Sequence, residues 1–175
     1  MEHIEIFFTS RSRLKKPKIK NLSPTGQLAS RIADHGGGSP WRHTKTGYRE
    51  DLDMVLRSGW EANVARVFRS YEIEFLFEPH VFSFPIKRGT RSYTPDFFLV
   101  KSNEWIEVKG YFDEKSRIKL KRFKKYYPEE FAKMTLIIGS SKQSLEICKM
   151  LDVEYVLYPD ISKFYKSKIP NWEGS

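Results

Sequence analysis

From Glu104 to Gly110 the chain reads EWIEVKG, and this alternation constrains the fold more than any other stretch. Strand side chains alternate in direction, so residues two apart project together, roughly 6–7 Å apart along the chain. Ile106 and Val108 then take one face, and Glu107 and Lys109 the other. One outcome is a surface strand whose outer face carries a cross-neighbour ion pair. The other is a strand whose charged face serves a site, which requires further acids to arrive on that face.

Asp96 is such an acid, eleven residues earlier in YTPDFFLV. If Pro95 starts a bend or an edge position, Asp96 shares a face with Phe98 and Val100. A charge inside so apolar a strand is costly to bury unless it is paired or bound to a metal. Neighbouring strands lie about 4.8 Å apart, which lets Asp96 and Glu107 stand side by side. Two carboxylates that close repel each other and call for a cation. Oxygen ligands suit Mg²⁺ or Mn²⁺, which keep waters and accept substrate phosphates. Lys109, on the same face, can orient or help deprotonate a metal-bound water, or stabilise charge on a phosphorane-like transition state.

A third acid is Glu61 in SGWEANVARVF. Ser58 can cap a helix starting near Gly59, with Glu61 reaching back as in a capping box. A capping glutamate needs no further role, so Glu61 joins the site only in company with Asp96, Glu107 and Lys109.

The surrounding chain reads as a compact α/β domain from Gly47 onward. YREDLDMVLRSGWEANVARVFRSY spaces Leu52, Val55, Leu56, Trp60, Val64 and Phe68 as a helix would. EIEFLFEP and VFSFPI are two short strands, IKRGTR a turn, RSYTPDFFLV a third strand and EWIEVKG a fourth. A helix runs from about Glu114 to Tyr127 and stops before Pro128. KMTLIIG is a strand, SKQSLEICKML a helix and VEYVLY a last strand. Four strands in quick succession, then two alternating with helices, predict a mixed central sheet flanked by helices.

At 175 residues one domain is expected, with chain left over for an arm. Residues 1–50 hold ten Lys or Arg against four acids, along with SPTGQ and HGGGSP. Residues 1–46 thus read as a basic arm ahead of a domain at 47–175. The arm is either a solvated tail or a segment that lies along DNA phosphates or embraces a second subunit. The net charge of +9 suits a polyanionic partner. No apolar run approaches the ~20 residues needed to span a bilayer. MEHIEIFFTS carries acids where a secretory signal carries bases, so a cytoplasmic protein is expected. The single cysteine, Cys148, excludes an internal disulfide and a multi-cysteine metal site, and its helical apolar setting points to a buried structural thiol.

The pattern PD-x(10)-E-x-K, from Pro95 to Lys109 with Glu61 upstream, resembles the PD-(D/E)xK nuclease superfamily. RSGWEANVARVF, FEPHVFSFPIKRGTRSYTPDFFLV and WIEVKGYFDEKSRIKLKRFKKYYPE are similar to phage-encoded endonucleases of the group that includes phage Holliday junction resolvases. The resemblance runs from Arg49 to Ile138. It implies a restriction-endonuclease-like core. It makes Asp96 and Glu107 the principal metal ligands, with the Val108 carbonyl completing the inner shell and Glu61 on a second metal or a ligated water. Lys109 becomes the catalytic lysine. The implied cofactor is Mg²⁺, with Mn²⁺ able to substitute, one or two ions per active site. The implied reaction is phosphodiester hydrolysis leaving 5′-phosphate and 3′-hydroxyl ends. Junction-resolving members act as homodimers, and a phage-encoded chain works in the host cytoplasm. His35 and His43 read as arm residues rather than metal ligands.

After the site, EKSRIKLKRFKKYY places Lys115, Arg117, Lys119, Lys121, Arg122, Lys124 and Lys125 within eleven positions. Leu120, Phe123 and Tyr127 lay one face of this helix on the sheet. The charges are either a solvated face or contacts to DNA phosphates. Arg88, Arg91 and Arg57 are further candidates to steer a phosphate. Phosphate contacts position without reading sequence, so selectivity for DNA structure is expected, a four-way junction foremost. The alternatives are another phage endonuclease of nicking, mismatch, packaging or transposition type, or a DNA-binding protein without catalysis.

Overall fold

The computed structural model describes residues 46–174, so the arm expected before the domain, with His35 and His43, lies outside the described residues except for Thr46. The described residues open with a hairpin, β1 (Gly47–Arg49) and β2 (Met54–Leu56), rather than the first half of a long helix. The apolar spacing of Leu52, Val55 and Leu56 suits either form. Asp53, at φ 51°, turns the backbone left-handed and closes the hairpin. Helix α1 (Gly59–Ser70) starts where its cap predicts, with the Ser58 side chain accepting from the Glu61 amide.

Next come β3 (Phe75–Phe77), β4 (Phe82–Ser83), β5 (Ser92–Tyr93), β6 (Phe97–Leu99) and β7 (Glu104–Lys109). The stretch RSYTPDFFLV is not one strand. It breaks at Thr94–Pro95–Asp96, so β5 pairs with β4 in a separate hairpin while β6 enters the main sheet. Pro95 explains the break, because it has no N–H for a ladder and restricts the residue before it. The chain therefore changes sheets immediately ahead of Asp96.

Helix α2 (Glu114–Tyr126) and a short α3 (Pro128–Phe131) lead to β8 (Met134–Ile138). Then follow α4 (Lys142–Leu151), β9 (Glu154–Leu157) and α5 (Tyr158–Tyr165), a helix that the sequence pattern does not announce. The central sheet has the order β3-β6-β7-β8-β9. The β3–β6 and β6–β7 pairs are antiparallel, β7–β8 and β8–β9 parallel, so the sheet is mixed.

EWIEVKG is the middle strand, with Trp105 to Val108 all buried, which rules out the surface-strand reading. Phe98 and Trp105 pack into a cluster with Leu120 and Phe123 of α2, Phe131 of α3, and Ile147, Cys148 and Leu151 of α4. On the other side Phe97 meets Phe68 of α1 edge-on, at 5.6 Å between ring centroids. Covered on both faces, β6 and β8 read as unbroken apolar runs rather than alternating ones. Cys148 is buried as expected, and burial pushes its thiol up to about 11.

The C-terminal segment closes over α1. The Glu173 carboxylate takes two hydrogen bonds from Arg49, at 2.8 and 2.7 Å, and one from Arg66 at 3.0 Å. Its backbone exchanges bonds with the Asn63 side chain, and Asp51 pairs with Arg66 at 2.6 Å. Trp60 stacks on Tyr158 at 3.8 Å between centroids.

Candidate active site

The β6–β7 register sets the site. Phe97 is paired with Ile106, so the next step along this antiparallel ladder places Asp96 against Glu107. Directly opposed residues have Cβ atoms about 4.5–5.5 Å apart and share a face. Both side chains are buried, Asp96 at 9% exposure and Glu107 at 5%.

Each carboxylate accepts a short hydrogen bond. Asp96 Oδ2 accepts from the Val108 amide at 2.7 Å, replacing the ladder partner that the Pro95 break removes. Glu107 Oε2 accepts from the Tyr93 hydroxyl at 2.8 Å. Lys109 Nζ stands 3.5 Å from Glu107 Oε1.

The electrostatics follow from burial. Desolvation first, then the charges of Glu107 and Glu61, push the Asp96 carboxyl well above its usual range. Burial also raises Glu107, against the opposing pull of Lys109 and Tyr93. For Lys109 burial is the largest single influence and pulls the value down, but Glu107 and Asp96 outweigh it and the net shift is upward. The ammonium is therefore held charged, which suits it to stabilising negative charge rather than removing a proton.

Glu61 carries out the capping role. Its Oε1 accepts from the Ser58 hydroxyl at 2.8 Å and its Oε2 from the Arg57 amide at 2.9 Å. It is also buried, at 7% exposure, and its charge is felt at Asp96.

A fourth acid, Glu78, is one that the sequence motifs do not include. Its amide donates to the Asp96 carbonyl at 2.8 Å, extending the β3–β6 pairing by one step. Glu78, Asp96 and Glu107 consequently form a row across three adjacent strands. Burial raises the Glu78 carboxyl, and Arg57 draws it back through a two-point ion pair at 2.7 and 2.9 Å. Glu78 holds φ 45°, a costly backbone state for a residue other than glycine. The available signal was an acid closing the apolar strand EFLFEP just before a proline.

Among the described residues no three His, Cys, Asp or Glu side chains form a ready-made ligand cage. Mg²⁺ seldom uses one, binding through one or two carboxylates together with waters and substrate phosphates. Buried, mutually repelling carboxylates such as Asp96 and Glu107 fit that requirement, since a cation relieves the repulsion between them and replaces the water that burial removes. Val108 offers its amide to Asp96, and its side chain lies on the opposite face of β7 from Glu107.

The basic residues divide. Lys115, Lys119, Lys121 and Lys125 of α2 are exposed, and Arg117 is half-buried. The charge of Lys119 reaches both Glu78 and Glu107. Arg88 and Arg91 are exposed in the β4–β5 hairpin. Arg57 is exposed but paired with Glu78. Arg122 donates to the Thr90 carbonyl and Lys124 to the Leu151 carbonyl, so these two hold parts of the fold together.

No curated protein matches the chain. The family model described as phage endonuclease I matches residues 45–167, a span that includes all four acids, Lys109 and α2.

Proposed function

The chain belongs to the phage endonuclease I family, and from that premise we propose a divalent-metal-dependent endonuclease of the PD-(D/E)xK superfamily, selective for branched DNA. As a phage endonuclease it has DNA as its substrate. The preferred substrate is a four-way junction, resolved by a homodimer whose two sites make paired cuts in the host cytoplasm. The observation that carries this reading is the buried Asp96–Glu107 pair on adjacent central strands with Lys109 beside it.

Asp96 and Glu107 would hold Mg²⁺ or Mn²⁺, with the Val108 carbonyl as a third donor and Glu61 toward a second ion. When bound, such an ion would supply Lewis acidity toward the phosphate and activate water for attack. Lys109 remains protonated and neutralises charge gathering on the scissile phosphate. Arg57, Arg88 and Arg91 would meet phosphates, as would Lys115, Arg117, Lys119, Lys121 and Lys125. They position the backbone without reading sequence.

The test is cleavage of a synthetic four-way junction and a matched linear duplex, each with and without Mg²⁺. Paired symmetric nicks confined to the junction and dependent on Mg²⁺ are expected. Cutting of the linear duplex at a fixed sequence would instead indicate another type of phage endonuclease. Binding without cutting in Mg²⁺ or Mn²⁺ would leave a DNA-binding protein.

A further inference from the structure

Tyr93 is a buried ionisable group to which the reaction above assigns no role. It is 3% exposed, and its hydroxyl donates to Glu107 Oε2 at 2.8 Å, with Met134 Sδ also near at 3.8 Å. Its ring packs against Phe123 of α2 at 5.0 Å between centroids. The residue sits on β5, opposite Phe82 of β4. That hairpin is fastened at two further points, to α2 through Arg122 on the Thr90 carbonyl and to the residue capping its end through the Tyr127 hydroxyl on the Ser83 carbonyl. The phenol thus has a direction set by the fold, not by its own rotation.

We propose that Tyr93 is a positioning residue for the nuclease site, holding Glu107 Oε2 so that Oε1 stays presented beside Lys109 and Asp96. The physical need is plain. Glu107 faces Asp96, which repels it, and Lys109 Nζ at 3.5 Å, whose charge attracts it but, at the long end of hydrogen-bond range, fixes little direction. Without a third contact the carboxylate can turn about its terminal torsion, which is broad. A phenol is a hydrogen-bond donor at neutral pH. The hairpin that supplies this donor also carries Arg88 and Arg91, so one element serves both the acidic pair and the DNA-facing charge.

The proposal rests on Asp96 and Glu107 binding the metal, and its test separates the two ideas. The full chain with Tyr93→Phe loses the hydroxyl and keeps the ring. Mn²⁺ binding to DNA-free protein by calorimetry should weaken about tenfold or more, the usual effect of removing a group that orients a metal ligand. Junction cleavage should lose kcat with KM little changed, and junction affinity in EDTA should match wild type. In a Glu107→Gln background, Tyr93→Phe should add nothing to the loss of Mn²⁺ binding, because the carboxylate that the phenol orients for the metal is gone. Wild-type Mn²⁺ affinity and kcat in Tyr93→Phe would overturn the proposal, as would an undiminished further loss in the Glu107→Gln background. A wild-type chain that neither binds Mn²⁺ nor cuts in its presence would instead overturn the metal reading, and this proposal with it.

Discussion

Asp96 is the residue at which folding and the proposed chemistry oppose each other most directly. Its carboxyl sits between two other acids in the interior, and its folded pKa lies well above the ordinary value. For a raised acid the native state binds more protons than the unfolded chain between the two pKa values. Stability therefore falls as pH rises through that window, and the penalty is complete above it. Asp96→Asn keeps an acceptor for the Val108 amide and removes the charge. It should raise the melting temperature of metal-free protein at pH 7, by roughly 2–4 °C for each kcal/mol relieved, and the gain should shrink toward pH 4. The same variant should cut no DNA. Melts in EDTA at the two pH values, run beside a junction assay, decide both points; an unchanged melting temperature at pH 7 would contradict the burial argument. Lys109→Ala should lower kcat by about 10²–10³, the scale seen when one stabilising donor is removed, with the fold intact by circular dichroism. Lys109 and its two carboxylates were readable because an E-x-K on a strand and an acid in an apolar run are both local oddities. Glu78 was not, because only the pairing of β3 with β6 carries it to Asp96.

Helix α2 carries some charges that are exposed and others tethered to backbone carbonyls, and mutation should separate them. Replacing Lys115, Lys119, Lys121 and Lys125 with Gln should weaken junction binding and reduce the salt slope of log K by up to about 3.6, near 0.9 for each phosphate no longer neutralised. Titrations at several salt concentrations measure this, and an unchanged slope would make the exposed lysines a solvated face. Arg122 and Lys124 are equally basic in the sequence, yet their partners are the carbonyls of Thr90 and Leu151, which no local pattern reveals. The same limit applies to other elements. β7, β8, α2 and α4 were legible from periodicity and caps. The β1–β2 hairpin was not, because its apolar spacing copies a helix until the left-handed Asp53 is known. The break at Pro95 was half legible: a bend was expected there, but not the transfer of the chain between two sheets.

At the scale of the molecule, Glu173 binds the hairpin and α1 into one unit through Arg49, Arg66 and Asn63. Both guanidiniums are largely buried, at 10% and 6% side-chain exposure. Removing their shared carboxylate leaves them short of a partner, so Glu173→Ala should cost about 2–3 kcal/mol, below the range for a fully buried pair because Glu173 is partly exposed. Urea unfolding checks this, and a midpoint equal to wild type would show the clasp to be incidental. Among the described residues no helix is long and apolar enough to cross a membrane. Cys148, shut inside the cluster beneath α4 with its thiol held protonated, leaves the wild-type chain without a reactive sulfur at its surface. A cysteine introduced at Arg88 would therefore accept a maleimide dye alone, and the hairpin could be followed by fluorescence as DNA arrives without first stripping any native residue.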